Sequence, residues 1–194
     1  MILDTIAHVT VGQIMTRVTI DGVEDGEEIK VLTPKAIVSG IINCSDISTT
    51  KINKPIDEEK YTREGDVVIK LSTPYDAAYI TKEFEGLAVP SFCAIIRLED
   101  SRISPKFLSA YLNSNYACEY LKSTVVGSTK PMIKVSDIRA MDIPLLADKD
   151  MRDIGEAFIL SGQKRLTLIE MEKVEAKLME SIIMNSIKEA MDNG

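Results

Sequence analysis

Few residues in this chain have the type and spacing that catalysis requires. His8 is the only histidine, so a Ser-His or Cys-His nucleophile pair, or a metal site with several histidines, would depend on it. The three cysteines, Cys44, Cys93 and Cys118, are widely spaced and form no Cys-x-x-Cys motif, which disfavours a disulfide framework or a structural zinc site. We therefore expect no catalytic centre, no bound metal and no cofactor.

One acidic segment has the composition of a nuclease site. Glu58 and Glu59 precede Lys60, which resembles the Glu-x-Lys end of a metal-dependent nuclease centre. A run of charges after Pro55 is more often a solvated turn, and no strand signal frames it. A small metal-dependent nuclease built around Glu58 and Lys60 is therefore a less favoured hypothesis. The sequence has neither a Walker A motif nor a Gly-x-Gly-x-x-Gly fingerprint, which disfavours the common nucleotide-binding sites.

Two polar, partly basic loops suit contacts to nucleic acid. One follows the strongest predicted strand and the other precedes a shorter apolar segment. Lysine and hydroxyl side chains donate hydrogen bonds to phosphates, and tyrosine can pack on sugars. Ordinary solvated loops are the alternative interpretation. The candidate DNA-binding residues are Lys70, Ser72, Thr73, Tyr75, Lys122, Ser128, Thr129, Lys130 and Lys134.

Composition restricts the class of protein that can carry these loops. The 194 residues are 45% hydrophobic and 27% charged, which is typical of a globular protein. Lys and Arg number 23 against 30 Asp and Glu, giving a net charge of -7, so DNA binding would require basic residues concentrated on one face. With no long apolar stretch and no signal-like amino terminus, we expect a soluble protein of the reducing cytoplasm, without a membrane partner.

The elements that position these loops change character near Pro144. Residues 1–147 predict a strand-rich domain of the α+β class with a few helices, and residues 148–194 predict a long carboxy-terminal helix. Predicted strands cover 28–34, 36–42, 67–73, 87–90, 92–98 and 132–135, with a turn at Ser136–Asp137. Ser104 and Pro105 predict the start of a helix through Leu112, and weaker helical spacing continues to Leu121.

The carboxy-terminal helix carries an apolar seam. Its members step by three, three, four and four residues, with Ile183, Ile187 and Met191 broadening it near the end. About 45 helical residues would span roughly 65 Å, too far for one small domain to cover. Two alternatives stay open: one continuous helix, or a short and a long helix divided at Gly155 or Gly162. The predicted dimerisation residues are Leu168, Met171, Val174, Leu178 and Ile182.

In order, these segments resemble the target recognition domain and following spacer helix of the specificity subunits of type I restriction-modification enzymes. The resemblance rests on Glu64–Thr73, Leu87–Ile96 and Ser104–Leu112. It is strongest over Gly127–Ile138, followed by Ile143–Leu145 and the helix. A full-length member carries two recognition domains and two spacer helices, so this chain resembles a half-length subunit. Its Pro144-Leu-Leu departs from the usual Pro-Leu-Pro, Asp150–Ile154 replaces the usual Glu-Gln-x-x-Ile, and the common early tryptophan is missing.

The resemblance implies a non-catalytic function. The recognition domain would read half of a split double-stranded DNA target, and the helix would dock the adenine methyltransferase subunit and the restriction subunit. Pairing of two helices would make the chain a homodimer. A protein-protein adaptor derived from the same fold is the alternative, and one basic face would favour DNA whereas scattered basic residues would favour an adaptor.

Overall fold

The computed structural model describes residues 1–19, 26–125 and 132–192. The strands are β1 (Ala7–Val11), β2 (Glu27–Val31), β3 (Ile37–Val38), β4 (Ile41–Ile42), β5 (Ser48–Ile52), β6 (Val67–Lys70), β7 (Ala77–Tyr79) and β8 (Cys93–Leu98). The helices are α1 (Pro105–Leu112), α2 (Asn115–Thr124), α3 (Val135–Arg139) and α4 (Asp148–Asp192). Strand-rich structure followed by one long helix confirms the predicted α+β class.

A four-stranded antiparallel sheet in the order β1-β8-β6-β7 forms the centre of the domain. Successive residues of β6 face opposite sides: Val67 and Ile69 pack in one hydrophobic cluster, and Val68 packs in another. Both faces of the sheet are covered, and this is why β6 and β8 read as continuous apolar runs rather than as alternating ones. One cluster includes side chains of α1 and α2, and the other lies against β3 and β4.

The apolar run predicted as one strand over 36–42 is a tight hairpin. β3 and β4 are two residues each and pair antiparallel across Ser39 and Gly40, which have φ of 29° and 100°. Glycine at position 40 also leaves room for α4, because an added Cβ would lie 2.5 Å from Cε1 of Phe158. The glycine that interrupts the run therefore marks a turn beneath the long helix.

Two other predicted strands are shorter than expected. Residues 87–90 form isolated bridges, in which Ala88 pairs with Val31 and with Tyr61. In the segment 132–135, Met132 makes one bridge to Ser72, and α3 begins at Val135. The turn predicted at Ser136–Asp137 is therefore wrong, since both residues are helical. Backbone partners from distant segments, rather than a neighbouring full strand, satisfy these short pieces.

The start of α1 agrees with the sequence prediction. The Ser104 hydroxyl accepts a hydrogen bond from the Phe107 N–H at 3.5 Å, and Pro105 is the first helical residue. Proline suits that position because its missing N–H would have no partner within the helix. α2 begins in the same way, with Ser114 accepting from the Ala117 N–H at 3.2 Å. These caps fix the two helices against the sheet.

α4 is continuous over 45 residues, so the unbroken helix is the alternative that the structure shows. Its first half lies on the domain, where Met151 and Ile159 are 2% and 5% exposed. Gly155 and Gly162 let the helix approach closely: an added Cβ would lie 2.8 Å from the Phe107 nitrogen in one case and 3.2 Å from the Ser39 carbonyl oxygen in the other. Of the helices described, none is both long and apolar enough to cross a membrane.

Candidate nucleic-acid interface

Three connections meet at one end of the central sheet. Val11 at the end of β1 pairs with Ala94 near the start of β8, and Lys70 at the end of β6 pairs with Cys93. Because β8 runs antiparallel to both neighbours, the segments 12–14, 71–73 and 91–92 all leave the sheet at this end. We call these segments, together with 132–134, the loop edge.

Backbone hydrogen bonds hold the loop edge together. The Leu71 N–H donates to the Phe92 carbonyl at 2.9 Å, and the Ile133 N–H donates to the Leu71 carbonyl at 2.9 Å. On the other side, the Ser91 N–H donates to the Gln13 carbonyl at 2.7 Å. Main-chain groups make these contacts, so they do not occupy the side chains of the segments, of which Leu71 and Ile133 are buried and the exposed ones can meet a ligand.

Gly12 allows the first of these segments to pass close to the next. An added Cβ at this position would lie 2.3 Å from the carbonyl oxygens of Val89 and of Pro90. No side chain fits there unless the backbone moves, because these atoms are main chain. Glycine is thus required where β1 leaves the sheet beside the segment that leads into β8.

The structure brings part of the predicted DNA-binding set to this edge. Ser72 is half-buried beside Met132, Thr73 is exposed, and Lys134 is exposed immediately before α3. Lys122 is exposed near the end of α2. Ser128, Thr129 and Lys130 lie outside the described residues. The two loops that the sequence places about 60 residues apart are therefore neighbours through the bridge of Ser72 to Met132.

Two residues of the predicted set are occupied within the protein. The Lys70 ammonium pairs with the Asp76 carboxylate at 2.7 Å, and the lysine side chain is only 12% exposed. Tyr75 is 3% exposed and packs in the main hydrophobic cluster, because the chain turns back there into the buried strand β7. Their prediction as DNA contacts is corrected: neither side chain is presented to a ligand.

Sequence reasoning missed three residues of the loop edge. The Phe92 ring is 57% exposed, and Met132 is 41% exposed. Gln13 is half-buried, and its Nε2 donates to the Ile14 carbonyl at 3.2 Å. Gln amides match the adenine edge, and exposed apolar side chains contact thymine methyls or wedge between bases. The sequence signal for Phe92 is Pro90-Ser91, because a turn at these residues places Phe92 before β8 rather than inside it.

The residues of the nuclease hypothesis form an ion-pair network. The Lys60 ammonium donates to Oγ1 of Thr10 at 2.8 Å and pairs with the Glu59 carboxylate at 2.7 Å. Hydrogen bonding and charge from Lys60 lower the pKa of Glu59, and His8 lies 3.8 Å from the same carboxylate. In the parts of the chain that the structure describes, no group of three or more His, Cys, Asp or Glu side chains could hold a metal ion. The network gives the nuclease hypothesis no support.

The predicted seam of α4 is uncovered along its whole length. Its five side chains are 49–66% exposed, and they run from Leu168, at the end of the half of the helix that contacts the domain, into the second half. Leu160, at 61% exposed, continues the seam onto that first half. An exposed apolar surface of this kind is typical of an interface. The seam residues are Leu168, Met171, Val174, Leu178 and Ile182.

Solved structures share the fold of this chain. The match to the HsdS subunit of Thermoanaerobacter tengcongensis covers 95% of this chain and 46% of the HsdS chain, with a TM-score of 0.63 and 20% sequence identity. A second match is to a chain from a structure on complex assembly and conformational transition of the type I R-M system. It covers 91% of this chain and 44% of that one, with a TM-score of 0.64 and 18% sequence identity.

A third structure agrees with these two. The match to the type I restriction-modification S subunit of M. genitalium covers 92% of this chain and 42% of the S subunit, with a TM-score of 0.52 and 14% sequence identity. No protein-family model matches the chain, and no curated protein matches it. The chain therefore has the fold of a type I specificity subunit, as the sequence resemblance predicted, and it spans less than half the length of the structures it matches.

Proposed function

We propose that this chain is the DNA-recognition component of a type I restriction-modification system, with one recognition domain and one spacer helix. The observation that carries the proposal is the fold likeness over nine-tenths of the chain, with recognition domain and helix in the same order. The chain carries out no chemistry in this proposal, and it docks a methyltransferase subunit and a restriction subunit that do.

DNA is read at the loop edge. Lys134 and Lys122 supply charge for phosphate contacts, while Thr73, Gln13 and Phe92 are the side chains that meet base edges. The prediction for Lys130 adds a further phosphate contact. The net charge of -7 is compatible with this role because phosphates are neutralised locally, by the basic side chains that face the DNA.

Two copies pair through the seam in an antiparallel arrangement. Between positions 157 and 169 the charged residues are Lys164 and Arg165, whereas the following segment 170–180 carries four Glu against two Lys. If the helix ends lie flush, Arg165 comes opposite Glu175 of the second copy. A parallel pair would instead place Lys164 beside Lys164 of the second copy, where the like charges repel. The charge pattern therefore favours the antiparallel direction.

The symmetry of such a pair determines the kind of DNA target. Identical recognition domains related by a two-fold axis read the same half-site on opposite strands, so the target is an interrupted palindrome. The gap between half-sites follows the length of the paired helices. Deleting seven residues within the seam keeps the heptad register, and we expect it to shorten the preferred gap by several base pairs or abolish activity.

Sequencing of modified adenines tests the proposal in cells that carry this chain with its cognate methyltransferase subunit. We expect a palindromic, interrupted methylated motif that disappears when the gene is deleted, and a Gln13→Ala or Thr73→Ala variant that changes or relaxes the bases read. An asymmetric motif would contradict the homodimer. A methylation pattern unchanged by deletion of the gene would contradict DNA recognition and favour the adaptor.

A further inference from the structure

The exposed apolar side chains of the strand-rich domain concentrate at the loop edge. Among the described residues before Pro144, six large apolar side chains are exposed, and four of them lie on the loop edge or at the end of β1 that leads into it. A single exposed apolar side chain is ordinary, whereas a cluster marks a contact surface. The largest and most exposed of the four is the Phe92 ring, at 57%. The four residues are Val11, Ile14, Phe92 and Met132.

The loop edge contains no acidic residue, although the chain has 30 Asp and Glu. The two carboxylates nearest to it along the chain are occupied. Asp76 pairs with Lys70 at 2.7 Å, and Asp137 accepts a hydrogen bond from the Lys134 N–H at 2.8 Å. An apolar cluster without negative charge suits a surface that combines phosphates with apolar groups, as DNA does.

Exposed cations lie on both sides of this cluster. Lys134 is on one side, and Arg17 is on the other, where its N–H donates to the Ile14 carbonyl at 3.1 Å. Arg17 forms no ion pair with any residue that the structure describes, whereas Arg97 and Arg102 are each paired with an aspartate. The two cations can therefore meet phosphates on either side of the apolar cluster.

The width of the loop edge selects one groove of DNA. Its four segments lie side by side in the order 12–14, 91–92, 71–73 and 132–134. Neighbouring strands lie about 4.8 Å apart, so the three gaps give a row roughly 14 Å across. The major groove of B-DNA, about 12 Å wide, admits the two middle segments with their side chains, whereas the minor groove, about 6 Å wide, does not. In the major groove, the apolar group that base pairs present is the thymine 5-methyl.

Phe92 lies in the middle of this row, on a backbone that is held on both sides. Its carbonyl accepts from the Leu71 N–H at 2.9 Å, and the Ser91 N–H donates to the Gln13 carbonyl at 2.7 Å. The Cys93 N–H donates to the Pro90 carbonyl at 2.9 Å and closes the turn that carries the ring. A side chain on a backbone that is ordered before binding loses less conformational entropy when it meets its ligand.

We propose that the loop edge enters the major groove and that Phe92 packs on the 5-methyl group of a thymine. This inference rests on the proposed function and names the base that Phe92 reads, so that each half-site contains a T·A pair at a fixed position. The hydroxyl of Thr73, in the neighbouring segment, lies toward the adjacent base pairs, and Arg17 and Lys134 contact the phosphates on the two sides of the groove.

Replacement of thymine by deoxyuridine tests the contact, because it removes the 5-methyl group and leaves base pairing intact. The probes are duplexes with the methylated motif found by sequencing of modified adenines, with one thymine of one half-site replaced at a time. For the methyltransferase-bound complex, we expect one such replacement to raise the Kd about three- to fivefold, the effect of one buried methyl group. With Phe92→Ala, the same replacement should leave the Kd unchanged.

Ile2→Ala is the matched control for this experiment. Ile2 is 45% exposed and precedes β1, at the other end of that strand from the loop edge. The Ile2→Ala complex should therefore respond to deoxyuridine as wild type does. Circular dichroism would verify that both variants are folded.

The outcomes separate this inference from the proposed function. A complex that binds its motif but responds equally to every deoxyuridine with and without Phe92→Ala overturns the thymine contact and leaves DNA recognition standing. A motif without thymine in the half-site does the same. If Phe92→Ala weakens binding of the methyltransferase subunit and leaves the deoxyuridine response unchanged, the apolar cluster is a protein interface. Absence of sequence-specific DNA binding by the complex overturns both.

Discussion

Gly155 of α4 lies directly over the first turn of α1, so that a Cβ atom added to it would be 2.8 Å from the backbone nitrogen of Phe107. The same Cβ would be 2.8 Å from Cβ of Lys106. Beside this contact, the Lys106 ammonium pairs with the Glu156 carboxylate at 2.6 Å. The strand-rich domain is thus joined to the long helix through a contact that tolerates no side chain.

Gly155→Ala should lower the free energy of unfolding by about 1–3 kcal/mol, because backbone atoms of α1 must move to admit the methyl group. In an unobstructed helix the same change would be stabilising by about 1 kcal/mol, so the sign of the effect is diagnostic. Urea unfolding provides the measurement, with the exposed Ser161→Ala as control. A more stable Gly155→Ala variant would contradict the close approach.

Asp66→Ala should cost about 3–5 kcal/mol of stability. The Asp66 carboxylate is 2% exposed and accepts from Nε and Nη2 of Arg97 at 2.8 and 2.7 Å, and this pairing raises the pKa of the Arg97 guanidinium. Removing the carboxylate leaves a partly buried guanidinium without its partner. Thermal unfolding should show the loss, while Glu156→Ala, at an exposed pair, should change little. Equal melting temperatures for Asp66→Ala and Glu156→Ala would contradict the stabilising role of the Asp66–Arg97 pair.

Lys134→Ala should weaken DNA binding by the methyltransferase-bound complex on every sequence alike. Each phosphate contact that is lost lowers the salt slope of binding by up to about 0.9. Titration of labelled DNA at several salt concentrations measures this slope, and Lys54→Ala, at an exposed lysine just after β5, is the matched control. Adding Lys130→Ala should lower the slope further. Unchanged affinity and slope in the double variant would move the DNA-binding face elsewhere.

Leu178→Glu combined with Ile182→Glu should convert the dimer to monomers. Both side chains are half-exposed in one copy, so the monomer should stay folded, whereas pairing would bury two uncompensated carboxylates at a cost of several kcal/mol. Sedimentation equilibrium measures the change in mass. Lys177→Gln, a polar change beside the seam, is the control. A double variant that dimerises as tightly as wild type would exclude the seam.

Stability should fall at alkaline pH through Cys93. Burial raises the pKa of its thiol to about 12, against about 8.5 for an exposed cysteine. The unfolded chain therefore loses this proton first, and the stability present below about pH 8.5 is lost as the pH rises toward 12. Between about pH 9 and about pH 11, wild type should lose up to about 1.4 kcal/mol per pH unit more than Cys93→Ala. Urea unfolding at each pH measures the stability of both proteins. If the stability of wild type and of Cys93→Ala falls equally with pH, the prediction is wrong.

The elements that depend on local pattern were predictable from the sequence. β-branched runs located β6 and β8, the Ser104-Pro105 pair located the start of α1, and the periodicity of apolar residues gave the extent and the exposed seam of α4. In each case the signal comes from residues within one or two turns or strand repeats, where spacing alone determines which face a side chain occupies.

Tertiary structure decided which of the polar residues predicted to contact DNA lie together and exposed. Ser72 and Lys134 come together because β6 ends beside a bridge to Met132, while Tyr75 and Lys70 are withdrawn by packing and by the pair with Asp76. Phe92 is exposed because β8 begins one residue later than its apolar run. The first of these outcomes depends on a contact between segments 60 residues apart, Ser72 with Met132. Local periodicity carries no information on such contacts, since they follow from strand order and from the space that neighbouring side chains leave.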